Sequence, residues 1–460
     1  MLNETAVRTS DTAVRIPSAG DAEQTALARE RTRQTGRPRP TTPSGTPPEG
    51  AARRRRLRVA MVHISDFRLD SRIQRQARAL AHRGDEVDLI CVGEREELRV
   101  GEGVIRVHPV AGEKAGGGPA AYVGSYAAFT ARALWRLSAL EARRRFDVVE
   151  VHNMPDALTA TALLPRLRGT PVILNVHDTF PELFATKYGR PEGDALERAL
   201  LVEERLSAAL AKHVIVVTEV ARRRLEGRGV GVGRTMVVMN SPDERVFGPP
   251  REPMGWPEGG RLRVLYHGGL APRFGVECAI RAWSRLRETA PNLELRVCGS
   301  GEDRDRLAAL AAEIDSDRIQ VSPNPVPFEQ IPAELEAAHV GVVPTLHDRF
   351  TELLLPVKLL EYVHMGLPVV ASRLPGIAGY FGEDDLGAFE PGNPEDLARA
   401  LESVCADPDA ARTRAARAAE RLREIAWERQ RERYLALVDE LTSAGRRAAG
   451  GTRAPTQGTR

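Results

Sequence analysis

The sequence predicts an α/β protein whose chain forms two doubly wound halves with a cleft between them. Short apolar, β-branched runs alternate with longer amphipathic patterns, which is typical of parallel strands covered by helices on both faces. The alternation stops once, in a Pro- and Gly-rich stretch over 240–261, and then restarts with a strand that leads into a Gly-rich turn. Because doubly wound sheets bind ligands at the carboxyl ends of their strands, we expect the functional site in the cleft.

The predicted strands are nine apolar runs, five before the break and four after it. In the first half they cover residues 57–62, 86–92, 148–152, 172–176 and 213–218. In the second half they cover residues 263–267, 293–299, 340–344 and 368–371. Helical patterns between them supply the crossover connections that parallel strands require.

The chain length predicts more than one domain, because 460 residues exceed what a single hydrophobic core usually serves. We predict a first domain over 56–242, a second over 243–424 and a last helix over 425–443. The segments 1–55 and 444–460 are too poor in large apolar residues to offset the entropy of ordering, so we predict that both are disordered.

Composition and charge exclude several classes of protein. The net charge of +3 is too small to imply a nucleic-acid partner, and no apolar run approaches the roughly 20 residues that span a bilayer. The N-terminus lacks the apolar core of a signal peptide, and the four cysteines form no CxxC pair or Cys/His cluster. We therefore expect a cytoplasmic protein without a metal site. The arginine-rich stretch 53–56 fits either a solvated surface or a weak attraction to anionic lipid.

Polar residues follow the predicted strands of the first half. Residues 63–73 lead into a helix for which Ser71 is the expected N-cap, and Arg72 at that helix start suits an anion. Residues 152–156 and 175–182 follow two successive strands, which favours a functional role for His177 over that of an ordinary structural histidine. The acidic residues of the second cluster fit helix caps equally well.

Two Gly-rich turns mark the second half. Residues 267–275 (His-Gly-Gly-Leu-Ala-Pro-Arg-Phe-Gly) join a strand to a helix, and residues 298–302 (Cys-Gly-Ser-Gly-Glu) follow the next strand. Gly268 and Gly269 allow backbone amides to approach a ligand, and the helix start that follows favours a diphosphate. Arg273 adds a guanidinium whose fork matches phosphate oxygens.

The segment 355–372 is the most informative part of the chain. Lys358 and Glu361 lie three residues apart on a helix that we expect to end near Gly366. The first turn of this helix follows a strand end and should face the cleft. There Glu361 can accept both hydroxyls of a ribose while Lys358 meets phosphate; the alternative is an ordinary surface ion pair.

Taken together, these segments resemble the retaining glycosyltransferases of family 4, the glycosyl transferases group 1. That family has the GT-B fold, in which two Rossmann-like domains face each other across a cleft. The resemblance extends over about residues 58–441. Within the family, the chain is similar to the branch that has the motifs Arg-aromatic-Gly and Pro-x-Lys-x-x-Glu. It rests on the order and spacing of residues 65–72, 152–156, 177–182, 240–243, 267–275, 299–301, 355–362 and 366–368.

Trp427 and Glu428 extend the resemblance to the last helix. In the family, this helix crosses back to pack on the first domain.

The resemblance implies that the second domain binds a nucleotide-sugar donor and that the first holds an acceptor, namely a glycan, glycolipid or polysaccharide precursor. Glu361 would bind the ribose, Arg273 and Lys358 would face the diphosphate, and His177 would contact the donor sugar near the reacting carbon. Backbone contacts would come from Gly268, Gly269, Gly299 and Gly301. The resemblance implies retention of the anomeric configuration, with no metal and no other cofactor.

A membrane-borne acceptor would bring the protein into peripheral contact with the inner face of the cell membrane. The arginine-rich composition of the first domain and the N-terminal segment fits that expectation.

The chain departs from the family pattern at two places. Leu353 stands where a second glutamate is common, eight positions before Glu361, while Gly269 and Phe274 stand where Arg and Lys are common. Two alternatives therefore stay open: a sugar-nucleotide epimerase of the same fold, and a relative that binds nucleotide sugars without catalysis.

Overall fold

The computed structural model describes residues 54–112, 119–230, 232–253, 260–327 and 330–450. Of the two segments predicted to be disordered, residues 1–53 and 451–460 lie outside the described residues. Residues 444–450 instead continue the last helix, which ends at Gly450 and not at residue 443. Alanine and arginine fill most of this stretch, and both are strong helix formers.

The first half of the chain forms an eight-stranded sheet in the order β3-β4-β2-β1-β5-β6-β7-β8. Neighbouring strands are parallel except for β3 and β4, which pair in antiparallel fashion at one edge. All five strands predicted for this half are present. The strands are β1 Arg58–Asp66, β2 Glu86–Val92, β3 Glu96–Val100, β4 Gly103–Pro109, β5 Val148–His152, β6 Val172–Val176, β7 His213–Val216 and β8 Thr235–Val237.

The second half forms a six-stranded sheet in the order β11-β10-β9-β12-β13-β14, and every pair of neighbours is parallel. The four strands predicted here are present as well. The strands are β9 Leu262–Gly269, β10 Leu293–Ser300, β11 Ile319–Val321, β12 Val340–Val343, β13 Val369–Ser372 and β14 Gly387–Phe389. Both sheets belong to one compact unit.

Helices connect the strands of both sheets. In the first half the described helices are α1 Ser71–His82, α2 Pro119–Arg143, α3 Leu163–Leu167, α4 Phe180–Lys187, α5 Ala195–Leu210 and α6 Glu219–Gly227. The others are α7 Glu244–Phe247, α8 Val276–Thr289, α9 Arg304–Asp315, α10 Ile331–Glu336, α11 Val357–His364, α12 Pro375–Ala378, α13 Pro394–Ala406, α14 Pro408–Glu424 and α15 Trp427–Gly450.

Each sheet is buried on both faces, as a doubly wound fold requires. In the first sheet, Ile73 of α1 packs on one face and Phe129 of α2 on the other. In the second sheet, Trp283 of α8 packs on one face and Tyr362 of α11 on the other. Burial on both faces explains why the central strands read as continuous apolar runs. The predicted α/β class is confirmed.

Helix α15 crosses from the second half to the first, as predicted. Its residues Trp427, Tyr434 and Leu437 are buried in the same core as strand β1 and helix α1. Tyr434 donates a hydrogen bond of 2.6 Å from its hydroxyl to Oε2 of Glu150 on β5. Burial raises the pKa of the Glu150 carboxyl to about 7. The crossing helix is therefore held by both apolar packing and a buried polar contact.

We expect Tyr434→Phe to lower the free energy of unfolding by about 1–3 kcal/mol, because the buried Glu150 carboxyl loses a donor that no water can replace. Thermal or urea unfolding measures the change. Tyr188→Phe is the matched control, since the buried Tyr188 hydroxyl has no hydrogen-bond partner among the described residues. Equal effects of the two variants would contradict this role of the Tyr434 hydroxyl.

Candidate active site

A cavity of about 320 Å³ lies in the cleft between the two sheets and is lined by residues of both halves. The first half contributes residues that begin α1 or follow β6, β7 and β8, and the second half contributes the end of β9 and the start of α11, among others. The polar lining side chains are Arg72, His177, Asp178, Asn240, His267, Thr345, Lys358 and Glu361. Of the predicted site residues, five line this cavity: His177, Gly268, Gly269, Lys358 and Glu361.

His177 lies just beyond the end of β6 and is held by the segment after β5. Its backbone N–H donates to Oδ1 of Asn153 at 2.8 Å, and its Nε2 lies 3.0 Å from Nδ1 of His152. The two imidazole rings stack with centroids 5.3 Å apart. Burial, together with the nearby Arg72 charge, holds the pKa of His177 well below its ordinary value, so the ring is neutral at pH 7.

Asn153 connects this histidine to its surroundings. Its Nδ2 donates to Oδ1 of Asp156 at 2.9 Å and to the carbonyl oxygen of Asp178 at 2.6 Å. The polar cluster at residues 152–156 thus positions the loop that carries His177. Nδ1 of His177 has no hydrogen-bond partner among the described residues.

Helix α1 begins at the cavity with Asp70 as its N-cap, not with the predicted Ser71. The Asp70 side chain accepts a hydrogen bond from the backbone N–H of Arg72 at 3.0 Å and pairs with its guanidinium at 2.8 Å. Asp70 has an extended backbone, which is the conformation an N-cap requires. Arg72 also lies 3.7 Å from Asp178 across the cavity wall. Arg72 is not among the site residues predicted from the sequence, although its position at the start of a helix suits an anion.

The two glycines that end β9 leave room for the side chains of Lys358 and Phe274. Gly268 has a φ of +123°, and a Cβ there would lie 3.0 Å from Nζ of Lys358. A Cβ on Gly269 would lie 2.9 Å from the ring of Phe274. The aromatic ring thus occupies the room that a larger residue at position 269 would need.

Gly299 and Gly301 are not among the residues that line the cavity. A Cβ on Gly299 would lie 2.2 Å from the carbonyl oxygen of Gly268, and one on Gly301 would lie 2.3 Å from that of Leu270. These two glycines therefore allow the second Gly-rich turn to pack directly on the backbone of the first.

Lys358 is partly buried in the cavity wall and is not part of a surface ion pair. Its Nζ donates to the hydroxyl of Tyr266 at 2.8 Å and lies 3.9 Å from the centroid of that ring. The Tyr266 hydroxyl in turn donates to the carbonyl oxygen of Gly269 at 2.6 Å. Burial lowers the pKa of Lys358 to about 7, and the charge of Glu361 opposes that shift only in part.

Glu361 is also buried, and its Oε2 lies 3.1 Å from Nε2 of His267. Glu361 lines both the cleft cavity and a neighbouring one of about 410 Å³, which Arg75, Arg78 and Arg245 also line. The ammonium of Lys358 is held by Tyr266 and not by the Glu361 carboxylate, so the alternative of an ordinary surface ion pair between the two residues does not apply.

Arg273 lies in the short 3-10 turn Pro272–Phe274, outside the set of lining residues. Its guanidinium is 5.2 Å from the Phe274 ring, and its Nε has no hydrogen-bond partner among the described residues. Its charge is close enough to act on Asp178, whose pKa burial raises. Arg273 thus stands beside the cavity.

Leu353, which departs from the family pattern, and its neighbour Glu352 lie at the contact between the two halves. Leu353 is buried, and its carbonyl oxygen accepts a hydrogen bond from Oγ1 of Thr218. Glu352 pairs with Arg224 of α6 at 2.5 Å and does not line the cavity. Neither position supplies a second carboxylate there.

Neither a membrane-spanning helix nor a metal-binding cluster is found among the described residues. No helix among them is both apolar enough and long enough to span a bilayer. No group of three or more His, Cys, Asp or Glu side chains within the described ranges is arranged to hold a metal ion.

Two protein-family models match the chain. A glycosyl transferase 4-like domain matches residues 69–241, and the glycosyl transferases group 1 domain matches residues 261–407. The boundary between the two matches falls in the Pro- and Gly-rich stretch that separates the sheets.

Two known proteins are similar to this chain in sequence. Glycogen synthase from Mycobacterium tuberculosis is 29% identical over 285 residues, which are 60% of this chain and 64% of that protein. The match thus spans less than two thirds of the length of this relative. D-inositol 3-phosphate glycosyltransferase from Acidothermus cellulolyticus is 27% identical over 369 residues, or 74% of this chain and 80% of that protein.

Among solved structures, sucrose-phosphate synthase from Thermosynechococcus elongatus is similar with a TM-score of 0.68 and 19% identity. The similarity covers 85% of this chain and 100% of that one, and at this identity it shows the fold alone. The chain therefore belongs to the glycosyltransferases of the GT-B fold, as a glycosyl transferase 4-like domain followed by a glycosyl transferases group 1 domain.

Proposed function

We propose that this protein is a metal-independent, retaining glycosyltransferase that moves a sugar from a nucleotide-sugar donor to a glycan, glycolipid or polysaccharide precursor. One observation carries the proposal: His177 of the first half and Lys358 and Glu361 of the second half line the same cavity. Family membership alone would not assign an activity, because one fold supports many functions.

In this proposal the second half binds the donor. Glu361 accepts the ribose hydroxyls, with His267 holding its carboxylate in place at 3.1 Å. The diphosphate lies between the backbone of Gly268 and Gly269, the Lys358 ammonium and the guanidinium of Arg273. Gly299 and Gly301 support that turn from behind, where only a residue without a Cβ fits.

The chemical step then depends on charge that develops on the leaving diphosphate. Fixed cationic groups in a buried site stabilise such charge strongly, because little reorganisation is needed when the bond breaks. Lys358 and Arg273 supply them without a metal ion. His177, neutral and held by Asn153, faces the donor sugar at the reacting carbon, and the acceptor attacks from the side of the departing diphosphate.

The acceptor lies against the first half in this proposal. If it is carried by a lipid, the protein makes peripheral contact with the inner face of the cell membrane, to which the arginine-rich first half is suited. Co-sedimentation with anionic liposomes at low salt tests that contact.

The donor site predicts a nucleotide-dependent thermal shift that Glu361→Ala removes. We would test UDP, GDP, ADP and TDP, each with its common sugars, because a ligand at about 100 times its Kd adds roughly 2.7 kcal/mol of stability. Glu313→Ala, which removes an exposed carboxylate on α9 of the same half, is the control and should keep the full shift. No shift of the wild type with any nucleotide at millimolar concentration would contradict the proposal.

Nucleotide-sugar affinity should fall as the pH rises, because an anionic diphosphate favours the charged form of Lys358 and its pKa in the free protein is about 7. We expect Kd to rise about tenfold between pH 7 and pH 8.5, measured by calorimetry with a donor whose phosphates do not titrate in this range. Lys358→Arg should flatten the profile because a guanidinium stays protonated. Lys212→Arg changes an exposed lysine and should show the same dependence of Kd on pH as wild type. If Lys358→Arg also kept the wild-type dependence, Lys358 would not be the group that binds the diphosphate.

The transfer step predicts nucleotide release together with a product of unchanged anomeric configuration. Proton NMR of the first product formed, with water or a sugar as acceptor, reads the configuration, and an excess of EDTA should leave the rate unaltered. Inversion would exclude retention, and loss of activity in EDTA would exclude metal independence. Conversion of the donor into a sugar isomer without nucleotide release would identify the epimerase alternative.

A further inference from the structure

A groove outside the cleft lies between helix α2 and the segment that follows β4. Its volume is about 460 Å³, and its lining residues are Arg95, Pro109, Val110, Ala111, Ala131, Arg132, Trp135 and Arg136. Three of these eight residues are arginines and none is acidic. The groove is therefore a concave, positively charged surface.

None of the three arginines forms an ion pair with another residue in the part of the chain that the structure describes. No carboxylate of the described residues lies within ion-pairing distance of Arg95, Arg132 or Arg136. Arg132 donates to the carbonyl oxygen of Ala111 at 2.9 Å, which uses one of its five N–H groups. Unpaired guanidiniums that converge on one groove favour an anionic ligand with several oxygen acceptors.

Arg136 is held in place from behind. One of its terminal nitrogens lies 3.0 Å from Nδ1 of His108, and Nε2 of that ring lies 2.7 Å from the Asp88 carboxylate. The imidazole therefore donates to Asp88 and accepts from Arg136. The Nε–H of Arg136 also lacks a hydrogen-bond partner among the described residues, but this atom is buried and does not face the groove. The hydrogen bond to His108 fixes the guanidinium, and a side chain fixed in this way is pre-organised for a ligand.

Trp135 adds an aromatic surface to this basic groove. Its side chain is 70% exposed, although it sits on a helix whose inner residues Phe129 and Leu137 are fully buried. An indole ring has an apolar face suited to packing on a sugar ring and an N–H that can bond a hydroxyl. Exposed tryptophan beside unpaired arginine therefore matches an anionic carbohydrate better than a simple inorganic ion.

The groove opens at the carboxyl ends of the strands of the first sheet, and His177 lies at the same side of that sheet. Arg95 follows the end of β2, and Pro109–Ala111 follow the end of β4, while His177 follows β6. These strands are parallel, so their carboxyl ends lie along one edge. β4 and β6 are four strand positions apart, which corresponds to about 19 Å at about 4.8 Å per strand. An acceptor of several sugar units can reach from the groove to the cleft.

We propose that this groove binds an anionic segment of the acceptor, a glycan that carries carboxylate or phosphate groups several sugar units from the reacting hydroxyl. The inference rests on the proposed glycosyltransferase function and narrows its acceptor class. A flat membrane surface fits less well, because the arginines face a concave groove and Trp135 is the only large apolar side chain exposed on the described part of α2.

Direct binding of two anionic tetrasaccharides, tetragalacturonate and a heparin-derived one, tests the inference without a turnover assay. Calorimetry with the full chain should detect at least one of them and should show maltotetraose, which is neutral, binding at least about tenfold more weakly. Trp135→Ala and the double variant Arg95→Gln/Arg132→Gln should each weaken anionic binding by about tenfold or more. Arg143→Gln, at an exposed arginine near the end of α2, is the matched control and should bind like wild type.

All changed side chains in these variants are exposed, so unfolding temperatures should match that of wild type. The nucleotide-dependent thermal shift should also persist in every variant, so a defect of the donor site would be recognised separately. Absence of binding by both anionic tetrasaccharides, or equal binding by wild type and variants, would overturn the proposal. So would Trp135-dependent binding to vesicles of anionic lipid without tetrasaccharide binding, since it would assign the groove to a membrane.

Discussion

The contact between the two halves of the chain is the constraint on which the candidate site depends. Oγ1 of Thr218 donates to the Leu353 carbonyl oxygen at 2.9 Å in a buried position, and Glu352 pairs with Arg224 beside it. The segment that makes these contacts leads directly into α11, which carries the donor-binding residues of the proposal. The interactions that join the halves therefore also set the distance between the residues that each half contributes to the cavity.

Burial gives the cavity its chemical character. It lowers the pKa of Lys358 to about 7 and the pKa of His177 well below its ordinary value, because both cations lose hydration there. The site thus carries less positive charge than its composition suggests, and an anionic ligand would favour the charged form of Lys358. The groove beside α2 differs, since its arginines are at least partly exposed. In the two proposals made above, the cleft binds the donor and the groove binds an anionic part of the acceptor.

The strands predicted from the sequence lie in the interior of the sheets, whereas the strands that were not predicted lie at or next to the sheet edges. All nine predicted strands are present, because burial on both faces requires continuous apolar runs. Of the five strands it missed, β3, β8, β11 and β14 are at sheet edges, and β4 pairs with an edge strand. Edge strands are partly exposed and three of these are only three residues long, so they lack a recognisable apolar pattern.

The sequence by itself determined the two-sheet α/β architecture and predicted His177, Lys358 and Glu361 at one cleft, because in doubly wound folds the segments that follow the carboxyl ends of the strands face the ligand crevice. Only the tertiary structure decided that Gly299 and Gly301 pack on a neighbouring turn instead of lining the cavity. It also decided that Lys358 is held by a tyrosine 92 residues away. Such contacts join segments far apart in the chain, so no local spacing or composition encodes them.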